Sequence, residues 1–571
     1  MNYLAAPGPL VDTIDPVNRR DLLAFGAGAL AAGCAQAPAS AAGATGAAAH
    51  LFSVRDFAAA GDGKKLDSGA INAAIDACHA SGGGVAYVPP GTYLSGTVVL
   101  KSNVTLYLEA GATLLGSRDI ADYSPRPGPP LKGDANQKHL IFARDAENVG
   151  LAGPGRIDGQ GSAFWVPSGR APLPPEDAWR DVATYVWKPL DRPSPMLEFV
   201  ECRNLRIEDV RIENSNGWTL RPINCDHVTI RGIAIKNPVY GPNTDGIDPT
   251  GCQNLFISDC SIDTGDDCIC LKSENPYGGA PRVSKNIVIT NCVLTGCCNG
   301  LKFGTATHGG FENVTFSNSV IFNEDVPPAA RAISGLALEM VDGGWMEGVA
   351  ISNIRMQRVR TPVFIRRGNR RPGPDGGPGR LRGVMIENLY ASGAILTNSI
   401  TGLAGFDVED VTLSGIRIDS EEHGKRDWSA RAIPELPRAY PEARMFGRLP
   451  AHGFYCRHVT GLRLRDCELR AEAGEERPAI VCDDVKDLDM SGFRTTSVAG
   501  GQPVVSLTGT RGAWVRECAS PAAQTFLEVG AGSERILVSG CDLRLAAAPL
   551  ALRPGVPRDA ATLLGNAQSG R

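Results

Sequence analysis

Asn204-Leu205-Arg206-Ile207-Glu208-Asp209-Val210-Arg211-Ile212 alternates apolar and polar side chains, breaks at Asp209 and resumes. Alternation with period two is the mark of a strand, not a helix. Asn254-Leu255-Phe256-Ile257-Ser258-Asp259-Cys260-Ser261-Ile262 repeats the form, and so does Asn286-Ile287-Val288-Ile289-Thr290-Asn291-Cys292-Val293-Leu294. Further copies begin at Asn313, Gly348, Gly383, Asp410, Gly461, Asp487 and Arg535. Each copy is two short strands joined at a small or polar corner. The spacing varies from 23 residues (204 to 227) to 35 (313 to 348), so a constant rung carries loops of varying length. One rung cannot bury its own apolar side, so neighbours must stack. Strands stacked in register repeat about every 4.8 Å. The expected fold is all-β, a parallel β-helix built as one solenoid. A propeller would repeat at roughly 40–45 residues, and a leucine-rich repeat would show a Leu ladder that this chain lacks.

The bulk numbers agree with one large core. The chain has 571 residues, 43% of them apolar and 21% charged, and a net charge of -5. That composition excludes a disordered chain. The absence of a basic excess excludes nucleic acid as a partner on electrostatic grounds. Asp67 to His79 has helical spacing, with Ala70, Ile71, Ala74, Ile75 and Cys78 on one face and Asp67 or Ser68 as N-cap. An open solenoid end must be covered, and this short helix is the expected N-terminal cap. His79 reads as a helix-end residue. Among the 16 Cys, Cys260, Cys292, Cys467, Cys518 and Cys541 share one repeat position, and Cys202, Cys225 and Cys252 another. They are expected inside, as small apolar residues. Any disulfides are expected among Cys268, Cys270, Cys297 and Cys298.

Residues 1–49 read as an export segment, and 50–571 as the single β-helix domain. Arg19-Arg20 precedes the apolar run Leu22 to Ala32, a twin-arginine pattern. The run ends at Leu30-Ala31-Ala32-Gly33-Cys34, which places Cys34 where a lipid anchor would be attached; cleavage within Ala35 to Ala49 is the alternative. The expected location is periplasmic, membrane-anchored or secreted, and the solenoid is expected to act as a monomer.

The chemistry concentrates between Asn243 and Gly304. Asn243-Thr244-Asp245 is followed, one rung later, by Gly265-Asp266-Asp267-Cys268. The offset of 21 residues, 245 to 266, is close to one turn of the solenoid. Carboxylates gathered this way bind Ca²⁺ or divide acid and base work in glycoside cleavage. Crowding like charges raises one pKa and so supplies a proton donor.

These two motifs resemble the signature of glycoside hydrolase family 28, the polygalacturonase-like pectin hydrolases. Val54-Arg55-Asp56-Phe57, Gly61-Asp62-Gly63, Pro90-Gly91-Thr92-Tyr93, the stretch Gly155 to Gly161 and the stretch Asn214 to Leu220 with Trp218 carry the same resemblance, over residues 50 to 465. It implies a right-handed β-helix, a pectic carbohydrate substrate and inverting hydrolysis without cofactor or metal. Asp266 would be the general acid, and Asp245 and Asp267 would hold and deprotonate water. Inversion usually sets the two carboxyls about 6.5–9.5 Å apart.

The chain departs from the family at two places. Asn299 stands where the family has the His of Gly-His-Gly, and Ala337 and Glu339 replace the Arg and Lys that hold a uronate carboxylate. The expected substrate is therefore a pectic glycan other than simple polygalacturonan. Asn243, Asn299, Lys302, His308, Glu339 and Arg366 are the candidate substrate-binding residues. Long loops at 366–380 and 420–453 are expected to build a binding face, and Arg366, Arg367, Arg370 and Arg371 form a basic cluster. Two other classes remain open on the residues alone: a Ca²⁺-dependent polysaccharide lyase and a non-catalytic glycan-binding β-helix.

Overall fold

Asn and Asp tolerate the left-handed backbone region better than other residues with a side chain, and the corners of the rungs use this. Asn204, Asp209, Asn254, Asp259, Asn286 and Asn291 all have φ between 53° and 63°. Between the corners run paired strands such as Arg203–Glu208 and Arg211–Glu213, or Gln253–Ser258 and Ser261–Thr264. Each pairs in parallel with its counterpart one turn on: Leu205 with Val228, Val228 with Leu255, Leu255 with Ile287. The result is a right-handed parallel β-helix whose main sheet system has 35 strands, so nearly every rung is tied to both neighbours. The corner amides add their own ladder, with Asn204 Nδ2 donating to Asn148 Oδ1 at 3.0 Å and Asn286 Nδ2 to Asn254 Oδ1 at 3.0 Å.

In this computed structural model, residues 50–126, 137–498 and 501–569 are described. The twin-arginine pair and Cys34 lie outside the described residues. Inward residues such as Leu205, Ile207, Leu255 and Ile257 are fully buried. Every described cysteine is a buried free thiol. Cys268, Cys270, Cys297 and Cys298 form no disulfide; the first three donate to main-chain carbonyls, Cys268 to Thr295 O at 3.2 Å, Cys270 to Gly304 O at 2.9 Å and Cys297 to Gly265 O at 2.7 Å.

The helix Ser68–Ala80 buries Ile71, Ala74, Ile75 and Cys78 against the first rungs. Asp67 occupies the N-cap position, but its carboxylate accepts from Ala60 N (2.7 Å) and Gly61 N (2.8 Å) and so ties down the preceding loop instead. His79 Nδ1 contacts Ser102 O at 2.9 Å, a helix-end contact.

Two long loops, 159–196 and 420–453, rise from the face that carries the aspartates, and buried arginines anchor both; the 366–380 loop expected to share in this face contributes no residue to the cleft lining. Arg360 donates to Trp179 O (3.1 Å), Asp181 O (2.7 Å) and Cys297 O (3.2 Å). Arg477, wholly buried, pairs with Glu475 at 2.8 Å and Glu422 at 2.6 Å and donates to Leu449 O at 3.1 Å. Neighbouring residues on one strand test the alternation: Ile257→Ala should cost roughly 2–5 kcal/mol, and Phe256→Ala, 52% exposed one residue earlier, less than about 1 kcal/mol. Urea-unfolding midpoints measure both, and equal shifts would contradict the inside–outside assignment.

Candidate active site

The turn that carries Asp245 is held from three sides. Arg192 donates to Asn216 O (2.8 Å), Pro242 O (2.7 Å) and Asn243 Oδ1 (3.3 Å). Asn237 Nδ2 donates to Thr244 O at 3.2 Å. The Thr244 hydroxyl donates to Gly241 O (3.0 Å) and accepts from Gly265 N (3.1 Å), which locks this turn to the next rung. That contact explains Gly265: a Cβ there would lie 2.5 Å from Thr244 Oγ1.

The ladder then sets the aspartates. Gly246 N–H donates to Asp267 O (2.9 Å), and Cys268 N–H to Asn299 O (2.8 Å). Three successive rungs thus present Asp245, then Asp266 with Asp267, then Cys298 with Asn299. One carboxylate oxygen from each aspartate lies within 4.8 Å of the other two.

Such crowding governs protonation. Burial pushes the Asp266 carboxyl up, the Asp267 charge pushes further, and the Lys302 ammonium pulls back; the result is about 7. Asp245 is also raised well above the usual carboxylate range, first by burial and then by Asp266 and Asp248. Asp267 has dedicated partners: Lys302 Nζ at 3.2 Å and Asn299 Nδ2 at 2.6 Å. Burial alone would lower the Lys302 ammonium, but Asp267 beside it, with Tyr440 and Glu339 nearby, outweighs this and holds it raised.

Asp266 and Asp267 lie on the floor of a cleft of about 600 Å³, and Asp245 is buried behind them, outside the lining. Asn243, Asp266, Asp267, Asn299 and Lys302 line it from the rungs. The loops add residues that the sequence did not single out: Arg180 and Tyr185 on one side, and Tyr440, Glu442 and Arg444 on the other. Arg444 joins the two walls, donating to Tyr185 Oη at 2.6 Å while paired with Glu442 at 2.6 Å. No motif marks these residues; the length of the 420–453 loop points to Tyr440, Glu442 and Arg444, and nothing in the sequence points to Arg180 and Tyr185.

Three expected binding residues are placed elsewhere. Arg366 donates to Gly402 O (2.9 Å) and Glu435 O (2.6 Å), so its guanidinium pins the 420–453 loop and does not reach the cleft. Arg367 and Arg370 are similarly engaged, with Asp407 O at 2.5 Å and Asp342 Oδ1 at 2.8 Å, so the basic cluster is not a free charged patch. His308 lies beside Glu274, 3.9 Å away, outside the cleft lining. Glu339 is fully buried with neither carboxyl oxygen hydrogen-bonded, and burial raises it to about 8. It stands behind the cleft and not in it.

The fold and the site together define a parallel β-helical protein with crowded carboxyls at an open cleft. The chain belongs to the glycosyl hydrolases family 28, whose family model matches residues 86–436. It is similar to a probable polygalacturonase of Vitis vinifera, 30% identical over 56% of this chain and 63% of the relative. An endo-polygalacturonase of Pectobacterium carotovorum subsp. carotovorum is 29% identical over 48% of this chain and 64% of the relative. The chain thus spans less than two thirds of the length of these curated relatives. Among solved structures it resembles an exopolygalacturonase of Thermotoga maritima, with a TM-score of 0.53 and 27% identity, over 66% of this chain and 90% of the other.

The raised Asp266 carries a stability cost with a definite sign. Its carboxyl is raised from 3.8 to about 7 on folding, so stability is full below the lower value and falls as pH rises through the upper one. Asp266→Asn should therefore stabilise the protein by roughly 1–3 kcal/mol near pH 8, and by almost nothing near pH 4. Thermal melting across that range measures it, and a pH-independent difference would contradict the burial of charge.

Proposed function

We propose that the chain is an exported, inverting glycoside hydrolase that cleaves a pectic glycan other than simple polygalacturonan. The observation that carries this is the carboxyl cluster, in which Asp266 is raised to about 7 and faces the cleft, while Asp267 is paired with Lys302 and Asn299. A group near pH 7 keeps its proton for the leaving oxygen and yet can give it up. Asp266 is assigned as the general acid. Asp267, paired with Lys302 and Asn299, deprotonates the attacking water, and Asp245 helps to hold it. Asn243, Asn299 and Lys302 orient the substrate and the carboxylates.

The substrate assignment is supported at Ala337. This residue stands where the family places a uronate-binding cation. It packs in an apolar cluster with Phe364, Phe446 and Leu449 beneath the 420–453 loop. A sugar carboxylate gains no counter-charge there, so a neutral or differently substituted residue suits that subsite. Export by the twin-arginine route, to the periplasm or to an anchor at Cys34, is supported by Arg19-Arg20 and the apolar run after it. The buried free thiols suit a route that carries folded chains.

The close approach of the aspartates raises one rival, a retaining mechanism. Carboxyls about 5–5.5 Å apart typify retaining enzymes, which form a covalent glycosyl-enzyme, and the nearest oxygens here fall within 4.8 Å. NMR of the first-formed product anomer on defined pectic oligosaccharides separates the two: an inverted anomer supports the water mechanism, and a retained one sinks it. Unsaturated products would instead show a lyase. Asp266→Asn should lower turnover by about 10²–10⁴-fold. Wild-type activity should fall as pH rises through about 7, where Asp266 loses its proton.

A further inference from the structure

Beyond the 420–453 segment the same face of the solenoid opens again. The outward column that starts at Lys302 continues through Ala337, Phe364, Ser399, Tyr455 and Val481. Phe364 and Tyr455 lie beneath the segment, in one apolar cluster with Ala443, Phe446 and Leu449. At Val481 the column emerges into a second groove of about 1040 Å³, larger than the cleft at Asp266. Val481 is five ladder steps from Lys302, about 24 Å at ~4.8 Å per step. One segment therefore walls both cavities. Its Tyr440, Glu442 and Arg444 face the carboxyl cluster, and its Arg426 and Arg431 face the second groove.

The charge of this groove is positive. Arg426, Arg431, Arg457 and Arg553 line it against two carboxylates, Asp427 and Asp483. Arg457 is held by Glu435 (2.5 Å) and Asp483 (3.3 Å), and Arg553 by Glu528 (2.6 Å). Arg426 and Arg431 are exposed, and among the described residues neither forms an ion pair with a carboxylate. Val481 and Pro503 supply an apolar floor, and Ser506 and Thr508 supply hydroxyls. Arg431 spends one donor on Arg448 O at 3.4 Å, and the remaining guanidinium donors of the two residues, beside apolar and hydroxyl surface, match a sugar that bears a carboxylate. Arg426 and Arg431 could grip that carboxylate bidentately, the apolar floor could take the ring's C–H face, and the hydroxyls could bond its OH groups.

We infer that this groove is a second, non-catalytic site for a uronate-bearing oligosaccharide. It rests on the pectic reading of the first cleft and adds to it a holding point on the acidic stretches of the same polymer. The two sites have opposite preferences: the cleavage subsite offers a sugar carboxylate no cation at Ala337, whereas the second groove offers two.

The test uses the full chain carrying Asp266→Asn, so that binding is read without turnover. Calorimetry would compare a long oligogalacturonide with its carboxyl-reduced, neutral counterpart, with and without Arg426→Ala and Arg431→Ala. The acidic oligomer should bind, and the double arginine change should weaken it about tenfold or more. Raising salt should weaken it too, since the groove is open to solvent. The neutral oligomer should bind weakly and equally to both proteins. Affinity unchanged within about twofold on losing both arginines, or equal affinity for the neutral oligomer, would overturn the inference. Both arginines are exposed, so an unchanged melting temperature controls for folding. Turnover of short pectic fragments by the otherwise wild-type chain is measured separately. Its absence would count against the hydrolase reading alone, because the groove's arginine dependence is read by binding.

Discussion

Each rung of this solenoid donates its main-chain amides to the carbonyls of its neighbour, in register, and everything else inherits that spacing of about 4.8 Å. The apolar columns inside, with Leu205, Val228, Leu255 and Ile287 stacked one above another, are one consequence. The crowding of Asp245, Asp266 and Asp267 is another. Free carboxylates in water would move apart, but Gly246 N–H is committed to Asp267 O, and Cys268 N–H to Asn299 O. The backbone therefore imposes a proximity that the side chains alone would resist. Burial first, and the neighbouring aspartates after it, raise both Asp245 and Asp266.

The loops obey a different constraint. They have no ladder, so they must be fastened by side chains, and buried arginines do most of this. Arg360 and Arg366 direct their guanidinium groups largely at main-chain carbonyls from distant loops. Burial lowers both, to about 10, yet leaves them cationic at neutral pH. A planar group with five donors in a fixed fork can satisfy more carbonyls, spread over a wider arc, than the three donors of a Lys. The cleft walls are thus set by the same chemistry that keeps two loops from fraying, and Arg444 closes the set by reaching Tyr185 across the cleft.

How much of this is readable from the chain follows from the same division. The rungs repeat, so their parity, their left-handed corners at Asn and Asp, and their buried cysteines appear in the alternation itself. The aspartate cluster is visible because its motifs lie one turn apart. Glu339 and Arg366 were misplaced because period-two alternation says only which residues point out of the solenoid. It does not say which outward residues a loop then covers. Arg366 and Arg367 looked like exposed charge, yet they end the strand Thr361–Arg367 under the 420–453 segment. Tyr440 and Arg444 were missed for the converse reason. They reach the site from more than a hundred residues away, with no repeat to announce them.

The departures from the family pattern form one coherent change when read through the ladder. Lys302 and Ala337 are register partners on adjacent rungs. A cation at 337 would stand one step farther from Asp267 and would be free to meet a substrate carboxylate. The cation here stands at 302 instead, within 3.2 Å of Asp267, and is committed to the protein's own carboxylate. Asn299 reinforces that commitment through its 2.6 Å bond to the other oxygen of Asp267. With the cation withdrawn, position 337 no longer faces a charge, and an Ala packed under the loop is enough. Glu339 then fits as well. Next to a substrate carboxylate an ionised Glu would repel, but a buried one raised to about 8 stays neutral at neutral pH and adds no negative charge to a cleft already crowded with three aspartates.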